Sequence, residues 1–383
     1  MTTLPSTERL LLGPGPSPVP PRVMRAMMTP VLGHLDPALL DVMDGLREAL
    51  GRIFRAPGGS LALAVSGTGT SGMEAAVANL VAPGTRVVSV VNGYFGARLA
   101  DMVTRYGGQV QRVEGEWGRA IDAGALRAAL GHGGADLVTV VHAETSTGVQ
   151  NPVREIAAAA RAQDALVLVD AVTSLGGMPL DVTAWDVDVC YSGSQKCLGA
   201  PSGLAPIVFT PRALARRVAC RSFYLDLDLL QDYWVGRKYH HTIGATIVFA
   251  LREALAIVEE EGLEVRWARH ERHHRVLTAG LEAMGLPLYP PPGERLHTLH
   301  TVRVPDGVDE AAVRRDLRER FNIEVGAGMG SLAGKVWRVG LMGAGSVPSS
   351  ILLLLGALEH ILRRTGHAVH PGAGTGAALE ALG

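Results

Sequence analysis

The sequence has few cysteines, almost no net charge and no hydrophobic run long enough to span a membrane. Its three cysteines, Cys190, Cys197 and Cys220, are odd in number and show no paired spacing, which argues against a disulfide framework and favours a reducing, cytoplasmic setting. The 36 Lys and Arg residues nearly balance the 37 Asp and Glu residues, so no net field would attract nucleic acid or an anionic membrane. The apolar run 351–358 is too short for a bilayer, and the N-terminus has no signal-peptide pattern. We therefore expect a soluble protein whose partner is a small molecule.

Strand-like and helix-like segments alternate between about residues 60 and 210. Short apolar or β-rich runs are separated by helical stretches such as 73–81 and 153–162. This alternation is typical of a doubly wound α/β fold, in which helices cover both faces of a mostly parallel sheet. In such sheets, ligands bind at the carboxyl ends of the strands. The seven runs predicted as strands are 61–66, 86–91, 109–113, 136–142, 166–170, 185–191 and 204–209.

The length of 383 residues allows two domains with a large buried core. The pattern changes at about residue 263, where a long helix, a proline-rich turn and a mixture of strands and helices follow. We predict an N-terminal arm (1–20), a large domain (21–262) and a smaller α+β domain (263–365). The remaining segment, 366–383, is rich in glycine and alanine, has little to bury and is predicted to be a mobile tail.

An aspartate and a lysine follow two neighbouring strand candidates. Asp170 ends the run 166–170, and Lys196 ends the polar loop after the run 185–191. An enzyme that holds pyridoxal phosphate needs an amine to form a Schiff base and a carboxylate to keep the pyridine nitrogen protonated. The pair therefore predicts a pyridoxal-phosphate site, whereas a lysine after a strand, taken alone, is usually a solvated loop residue.

The loop 67–72 fits the GxGxxG pattern and lies between a strand candidate and a helix candidate, as a dinucleotide-binding fold requires. The next strand candidate, however, ends in Asn92 and Gly93, where the dinucleotide pattern has an acidic residue for the ribose hydroxyls. A loop of small and hydroxyl-bearing residues at a helix N-terminus also suits a single phosphate. We predict a phosphate monoester here, with a dinucleotide or a plain turn as the alternatives.

Two further segments have alternative interpretations. The segment 270–274 fits the HExxH zinc-protease pattern, but Leu277 and Leu281 continue the same helix face, which favours packing over metal binding. Phe95 follows the second strand candidate, where an aromatic ring could either stack on a planar cofactor or fill the core.

The order and wording of these segments resemble one family, the class V pyridoxal-phosphate aminotransferases, and most closely its alanine/serine:glyoxylate (serine:pyruvate) members. The resemblance extends over about residues 10–365. It is carried by eight blocks in the expected order, namely 12–17, 66–70, 92–96, 142–148, 170–177, 192–196, 239–242 and 334–340.

The resemblance implies a fold of the aspartate aminotransferase type, with a large and a small domain, assembled as a homodimer. It also implies pyridoxal 5'-phosphate as the cofactor, with Lys196 as the Schiff-base lysine and Asp170 as the partner of the pyridine nitrogen. Arg338 and Gly15 match substrate positions, Arg338 as the clamp on the carboxylate. The other cofactor-binding positions that the resemblance implies are Thr68, Gly69, Thr70, Phe95, Thr145 and Gln195 and, from the neighbouring subunit, Tyr239 and Thr242.

Two residues depart from the family pattern: Phe95 stands where relatives often carry a tryptophan, and Thr70 where some carry a histidine. Stacking on the cofactor and contacts to its phosphate are therefore expected to differ in detail.

The expected reaction is transamination from a small amino acid, alanine or serine, to a small 2-oxo acid, glyoxylate or pyruvate. An alternative within the fold is another class V reaction, such as transamination of 2-aminoethylphosphonate. Cysteine desulfuration is disfavoured because none of the three cysteines lies in the C-terminal region, where desulfurases place their nucleophile. The alternatives from other classes are an NAD-dependent oxidoreductase, based on 67–72, and a zinc hydrolase, based on 270–274.

Overall fold

The computed structural model describes residues 8–131 and 133–383. Its α-helices are α1 (Pro21–Ala26), α2 (Pro37–Ile53), α3 (Gly69–Leu80), α4 (Tyr94–Arg105), α5 (Ala123–Gly131), α6 (Val153–Arg161), α7 (Pro211–Ala215), α8 (Leu227–Trp234), α9 (Ala245–Glu261), α10 (Leu263–Ala283), α11 (Glu310–Phe321), α12 (Pro348–Arg364) and α13 (Ala373–Leu382). Its strands are β1 (Leu10–Leu11), β2 (Leu61–Gly67), β3 (Arg86–Val91), β4 (Gln109–Glu114), β5 (Leu137–Val141), β6 (Ala143–Glu144), β7 (Val149–Gln150), β8 (Leu166–Asp170), β9 (Val189–Tyr191), β10 (Gly203–Phe209), β11 (Leu299–Arg303), β12 (Ile323–Glu324), β13 (Gly326–Ala327) and β14 (Val336–Gly340).

A seven-stranded sheet forms the centre of the larger part of the molecule. Its strand order is β2-β10-β9-β8-β5-β3-β4, and only β10 runs antiparallel to its neighbours. The predicted α/β architecture with a mostly parallel sheet is therefore confirmed. Because the other six strands share one direction, the chain leaves β2, β3, β5, β8 and β9 at the same edge of the sheet. Every strand-end residue considered above lies at that edge.

Two details of the predicted elements differ from the structure. The run 185–191 contributes only Val189–Tyr191 to the sheet, because Asp186 adopts a left-handed conformation (φ 55°) and turns the chain just before it. Helices α3 and α4 begin a few residues earlier than the apolar pattern predicts, at Gly69 and Tyr94. Their first turns consist of small and loop-like residues, which carry no apolar periodicity.

A second, smaller group of elements follows residue 262. Strand β14 lies between β11 and β13 in an antiparallel sheet, and the helices α10 and α12 pack against it through a separate hydrophobic cluster. Leu12 belongs to that cluster, and β1 pairs in parallel with β12, so the beginning of the described chain packs with this smaller group. Gly262, at φ 81°, separates α9 from α10 at the predicted boundary. That the two groups are separate domains stays a prediction.

The C-terminal segment differs from the predicted mobile tail with little to bury. Helix α13 packs against α10, and Ala378 is fully buried between the helices. Close approach is possible because both helices present glycine: a Cβ atom on Gly280 would lie 2.8 Å from the carbonyl oxygen of Gly374. In the sequence, glycine and alanine that permit close helix contact cannot be told from glycine and alanine of a flexible tail. Only the position of the partner helix α10 shows which of these applies.

No helix in the ranges 8–131 and 133–383 combines the length and the apolar character needed to cross a membrane.

Candidate active site

Asp170 is the last residue of β8 and is only 3% exposed. Its Oδ1 accepts a hydrogen bond from the backbone N–H of Val172 at 2.9 Å, and its Oδ2 accepts one from the hydroxyl of Tyr191 at 2.8 Å. Burial raises the pKa of Asp170 to about 6, while both hydrogen bonds oppose the rise because they stabilise the carboxylate. The group is therefore a buried carboxylate that is mainly ionised at neutral pH.

Lys196 lies in the loop between β9 and β10, and its ammonium group donates a hydrogen bond to the carbonyl oxygen of Pro14. Burial, together with the positive charge of Arg338, lowers the pKa of Lys196 to about 8. An exposed lysine is almost fully protonated at pH 8, whereas here about half of the amines are neutral. This is the protonation state that nucleophilic and general-base chemistry requires.

Gly15 faces the Lys196 side chain. A Cβ atom built on Gly15 would lie 2.7 Å from Cδ and 2.8 Å from Cε of Lys196, closer than carbon atoms approach without a bond. Gly15 also has a φ of 119°, in the region that favours glycine. The site therefore needs glycine at this position for Lys196 to keep its place.

Asp170 and Lys196 line the same cavity of about 190 Å³ at the carboxyl edge of the sheet. The cavity brings together eight of the predicted site residues, from five separate loops and strand ends. It is lined by Thr68, Gly69, Thr70, Met73, Phe95, Arg98, Val141, Ala143, Thr145, Asp170, Val172, Thr173, Gln195 and Lys196.

Arg338 lies on β14; it is not among the residues that line the cavity, but it contacts the backbone of Thr145, which is. Its Nε donates to the carbonyl oxygen of Ala327 at 2.6 Å, and one terminal nitrogen donates to the carbonyl oxygen of Thr145 at 3.3 Å. Burial lowers the pKa of Arg338 to about 10, and the negative charge of Glu144 opposes that shift. The guanidinium is thus a buried cation that two backbone carbonyls hold in place. Its positive charge contributes to the lowered pKa of Lys196.

Tyr239 and Thr242 do not line the cavity of this chain. Tyr239 is 61% exposed, and Thr242 is also on the surface. Their predicted role, contact with the phosphate of a neighbouring subunit, stays a prediction.

Sequence reasoning assigned no role to three residues at the site: Tyr191, Glu144 and Arg98. The signal for Tyr191 is the sheet register, which pairs it with Asp170 across β8 and β9. Glu144 is fully buried and accepts hydrogen bonds from the backbone N–H groups of Phe95 and Gly96, each at 3.1 Å. Arg98 lies one helical turn after Phe95, a spacing that brings the two side chains to the same face of α4.

Glu144 connects two parts of the cavity wall. One carboxylate oxygen caps the N-terminus of α4, while the other accepts hydrogen bonds from the backbone N–H of Ser146 at 3.1 Å and its hydroxyl at 2.6 Å. Burial raises the pKa of Glu144, and these hydrogen bonds oppose the rise. The two segments that bring Phe95 and Thr145 to the cavity are therefore held together through one side chain.

The histidines of 270–274 are engaged in packing contacts. His270 Nδ1 lies 2.7 Å from the carbonyl oxygen of Arg266, and its Nε2 accepts a hydrogen bond from the N–H of Gly343 at 3.1 Å. The His274 ring stacks on that of His300, with their centroids 4.9 Å apart. Both histidines thus join α10 to the loops and strands beside it, as the continuing apolar face predicts.

The cavity residues fit pyridoxal phosphate. The carboxylate of Asp170 and the amine of Lys196 offer partners for a pyridine nitrogen and an aldehyde. At the N-terminus of α3, the Thr68 side chain makes no capping hydrogen bond to its own helix. A Cβ atom on Gly69 would lie 2.8 Å from a methyl group of Val172, so this close contact requires glycine. Gln195 Oε1 is buried and has no hydrogen-bond partner in the described parts of the chain.

Comparisons with known proteins agree with this geometry. The family model for aminotransferase class V matches residues 9–346. The (S)-ureidoglycine–glyoxylate transaminase of Bacillus subtilis is 37% identical, over 97% of this chain and 95% of that protein. Two solved structures are also similar: alanine–glyoxylate aminotransferase from Nostoc sp. (TM-score 0.92, 46% identity, 95% of this chain and 97% of that chain) and pyridoxamine-pyruvate aminotransferase from Mesorhizobium loti (TM-score 0.94, 30% identity, 99% and 98%).

These similarities cover nearly the whole chain and leave no support for the NAD-dependent and zinc-hydrolase alternatives. Three residues of the glycine-rich loop 67–72, namely Thr68, Gly69 and Thr70, line the cavity whose residues fit pyridoxal phosphate. The chain belongs to the class V aminotransferases, enzymes that use pyridoxal phosphate to move an amino group between an amino acid and a 2-oxo acid.

Proposed function

We propose that the enzyme transfers the amino group of alanine or serine to glyoxylate or pyruvate. The observation that carries this proposal is one cavity that holds the Lys196 amine and the Asp170 carboxylate, with the Arg338 guanidinium hydrogen-bonded to the backbone carbonyl of Thr145 on the cavity wall. Glyoxylate and alanine also appear in the names of similar proteins, which supports the same substrate class.

Each proposed cofactor contact uses a residue already on the cavity wall. Thr68, Gly69, Thr70 and Gln195 would bind the phosphate, Asp170 the pyridine nitrogen, Thr145 the ring hydroxyl, and Phe95 the ring face. When bound, the cofactor supplies an electron sink for the negative charge that develops at the substrate Cα. The Asp170 carboxylate, which two hydrogen bonds stabilise against the effect of burial, favours a protonated ring nitrogen.

Lys196 would move the proton. In its neutral form, Nζ would take the proton from the substrate Cα and hold it as an ammonium group. Burial and the charge of Arg338 already bring the pKa of Lys196 to about 8, so the neutral amine is available near physiological pH without a separate base.

Arg338 would orient the substrate. A guanidinium presents two parallel N–H groups to a carboxylate, and a planar pairing fixes both the position and the rotation of the bound acid. With the carboxylate held in this way, the Cα–H bond stays within reach of Lys196.

We further propose that the enzyme works as a homodimer in the cytoplasm. Large apolar side chains are exposed on one part of the surface around Tyr239, including Phe223 (72% exposed), and the His34 ring lies 5.0 Å from that of Tyr239. A second copy would cover this surface and bring Tyr239 and Thr242 to the partner's phosphate site. The three cysteines are free thiols, consistent with a reducing compartment.

The test is a panel of donors and acceptors assayed with the purified enzyme loaded with pyridoxal phosphate. We expect alanine or serine, with glyoxylate or pyruvate, to give the highest kcat/KM, and Lys196→Ala to abolish both turnover and the attachment of cofactor that borohydride makes permanent. The panel includes 2-aminoethylphosphonate, the alternative within the fold, and (S)-ureidoglycine, because a relative named for that donor is 37% identical over 97% of the chain. Preference for either of these donors would replace alanine and serine in the proposal.

A further inference from the structure

Arg98 is a cation on the cavity wall for which the reaction described above has no use. It lies on α4, one turn after Phe95, and is partly buried. Its guanidinium carbon is 5.1 Å from the centroid of the Phe95 ring and 5.0 Å from that of Tyr94, and a terminal nitrogen lies 3.4 Å from Thr70 Oγ1. The charged end of Arg98 is therefore between the proposed ring-stacking residue and the proposed phosphate loop.

The proposed phosphate loop has no charge of its own. Thr68, Gly69, Thr70 and Gln195 are all neutral, and the cations that line the cavity are Arg98 and Lys196. A phosphate monoester carries about 1.5 to 2 negative charges at pH 7. Neutral hydrogen-bond donors and a helix N-terminus offset only part of this charge when the site is shielded from water.

Lys196 is not a substitute for this cation. Its amine is held at the Pro14 carbonyl, and the proposed reaction needs it neutral. Its positive charge is therefore not available to a permanent anion. Arg98, in contrast, has no role in proton transfer, and the planar fork of its guanidinium suits phosphate oxygens.

We propose that Arg98 is the residue that neutralises the cofactor phosphate. This inference rests on the proposed cofactor site. The guanidinium is already placed by two aromatic rings and Thr70, so little side-chain freedom remains to be lost when the phosphate binds. Arg98 thus acts by binding and positioning the cofactor and takes no part in proton transfer.

The experiment compares two ligands that differ only in the phosphate. Dissociation constants of pyridoxal 5'-phosphate and of pyridoxal are measured by absorbance for the wild type, Arg98→Gln and Arg98→Lys. Arg105→Gln is the matched control, because Arg105 is an exposed arginine at the end of the same helix and does not line the cavity. Urea unfolding of every variant identifies loss of folding.

For Arg98→Gln we expect affinity for pyridoxal 5'-phosphate to fall by about 10- to 100-fold, as for loss of one charge-assisted contact, with pyridoxal affinity unchanged. Arg98→Lys should fall between the wild type and the glutamine variant, and the Gln variant should lose much of the wild-type salt dependence of binding. Unchanged affinity for pyridoxal 5'-phosphate would overturn the proposal, as would an equal loss for both ligands.

A rise in KM for the 2-oxo acid with unchanged cofactor affinity would likewise overturn it, and would assign Arg98 to the substrate carboxylate. Failure of the underlying site looks different: the wild type itself would then bind neither ligand.

Discussion

The hydroxyl of Tyr191 donates a hydrogen bond to Asp170 Oδ2 over 2.8 Å, inside a region where both side chains are buried. The two residues face each other across neighbouring strands, so the sheet register itself fixes the contact. Burial raises the pKa of the Tyr191 hydroxyl well above its usual value, which keeps the hydroxyl a donor at any working pH. Tyr191 is therefore a permanent stabiliser of the Asp170 carboxylate.

Tyr191→Phe should raise the pKa of Asp170 further above about 6, because burial is then opposed by one hydrogen bond instead of two. A protonated Asp170 cannot pair with the cation of the pyridine ring. We expect cofactor affinity to fall by about 3- to 10-fold at pH 7, the effect of one hydrogen bond, and by more at pH 6. Cofactor titrations from pH 5.5 to 8.5 measure this.

Tyr289→Phe is the control for that variant, since its hydroxyl also donates one hydrogen bond, but to the backbone carbonyl of Trp117 and away from the cavity. A loss of affinity that does not change with pH would contradict the assigned role of Tyr191.

Glu144→Gln should loosen the connection between α4 and the loop that carries Thr145. A glutamine amide nitrogen cannot accept the N–H groups that one carboxylate oxygen now accepts. We expect the free energy of unfolding to fall by about 1–3 kcal/mol, together with weaker cofactor binding. Urea unfolding and cofactor titration measure the two effects.

Glu155→Gln, an exposed position in the first turn of α6, serves as the control. If Glu144→Gln is as stable as this control and binds cofactor equally well, Glu144 does not hold the cavity wall.

Arg338→Ala should lower kcat/KM for alanine by about 100-fold, the loss expected for a buried charge-assisted clamp. Arg338→Lys should recover only a fraction, because an ammonium group lacks the planar fork. Steady-state kinetics with alanine test this, and methylamine, an amine without a carboxylate, is the control substrate. If turnover of methylamine falls as much as that of alanine, Arg338 does not act through the carboxylate.

The charge of Arg338 also sets the ionisation of Lys196. Replacing it with neutral glutamine should raise the pKa of Lys196 above about 8, since one of the two causes that lower this pKa is removed. The fraction of neutral amine at a given pH then falls, and the pH midpoint for the rate of cofactor attachment moves upward. Arg315→Gln, on the exposed face of α11, should leave the midpoint in place. An unchanged midpoint in Arg338→Gln would show that the charge of Arg338 does not affect the pKa of Lys196.

Gly15→Ala should prevent normal attachment of the cofactor. The added methyl group would overlap the Lys196 side chain, and the φ of 119° at this position disfavours alanine. Borohydride treatment followed by mass spectrometry should show little cofactor on Lys196. Gly33→Ala is the matched control, because no heavy atom lies within 4 Å of a Cβ built there. Full attachment in Gly15→Ala would show that the loop has room to move.

Much of the fold was predictable because apolar periodicity follows the buried faces of strands and helices. All seven strands of the large sheet lie within a few residues of their predicted runs. The first turns of α3 and α4 and the packed helix α13 were not predictable, since glycine and alanine are equally common in loops and at close helix contacts.

The sequence alone indicated the family and its cofactor, through a resemblance carried by eight blocks in the expected order, and it predicted Lys196, Asp170 and the loop 67–72 at strand ends that a parallel sheet gathers at one edge. Only the tertiary structure decided how these groups are tuned. The tuning comes from three contacts: Tyr191 with Asp170, Glu144 with the N-terminus of α4, and Arg98 with Phe95. The first two join residues that are far apart in the sequence, so the sequence does not reveal them. Ionisation depends on burial and on distances between charges, and these quantities exist only once the chain is packed.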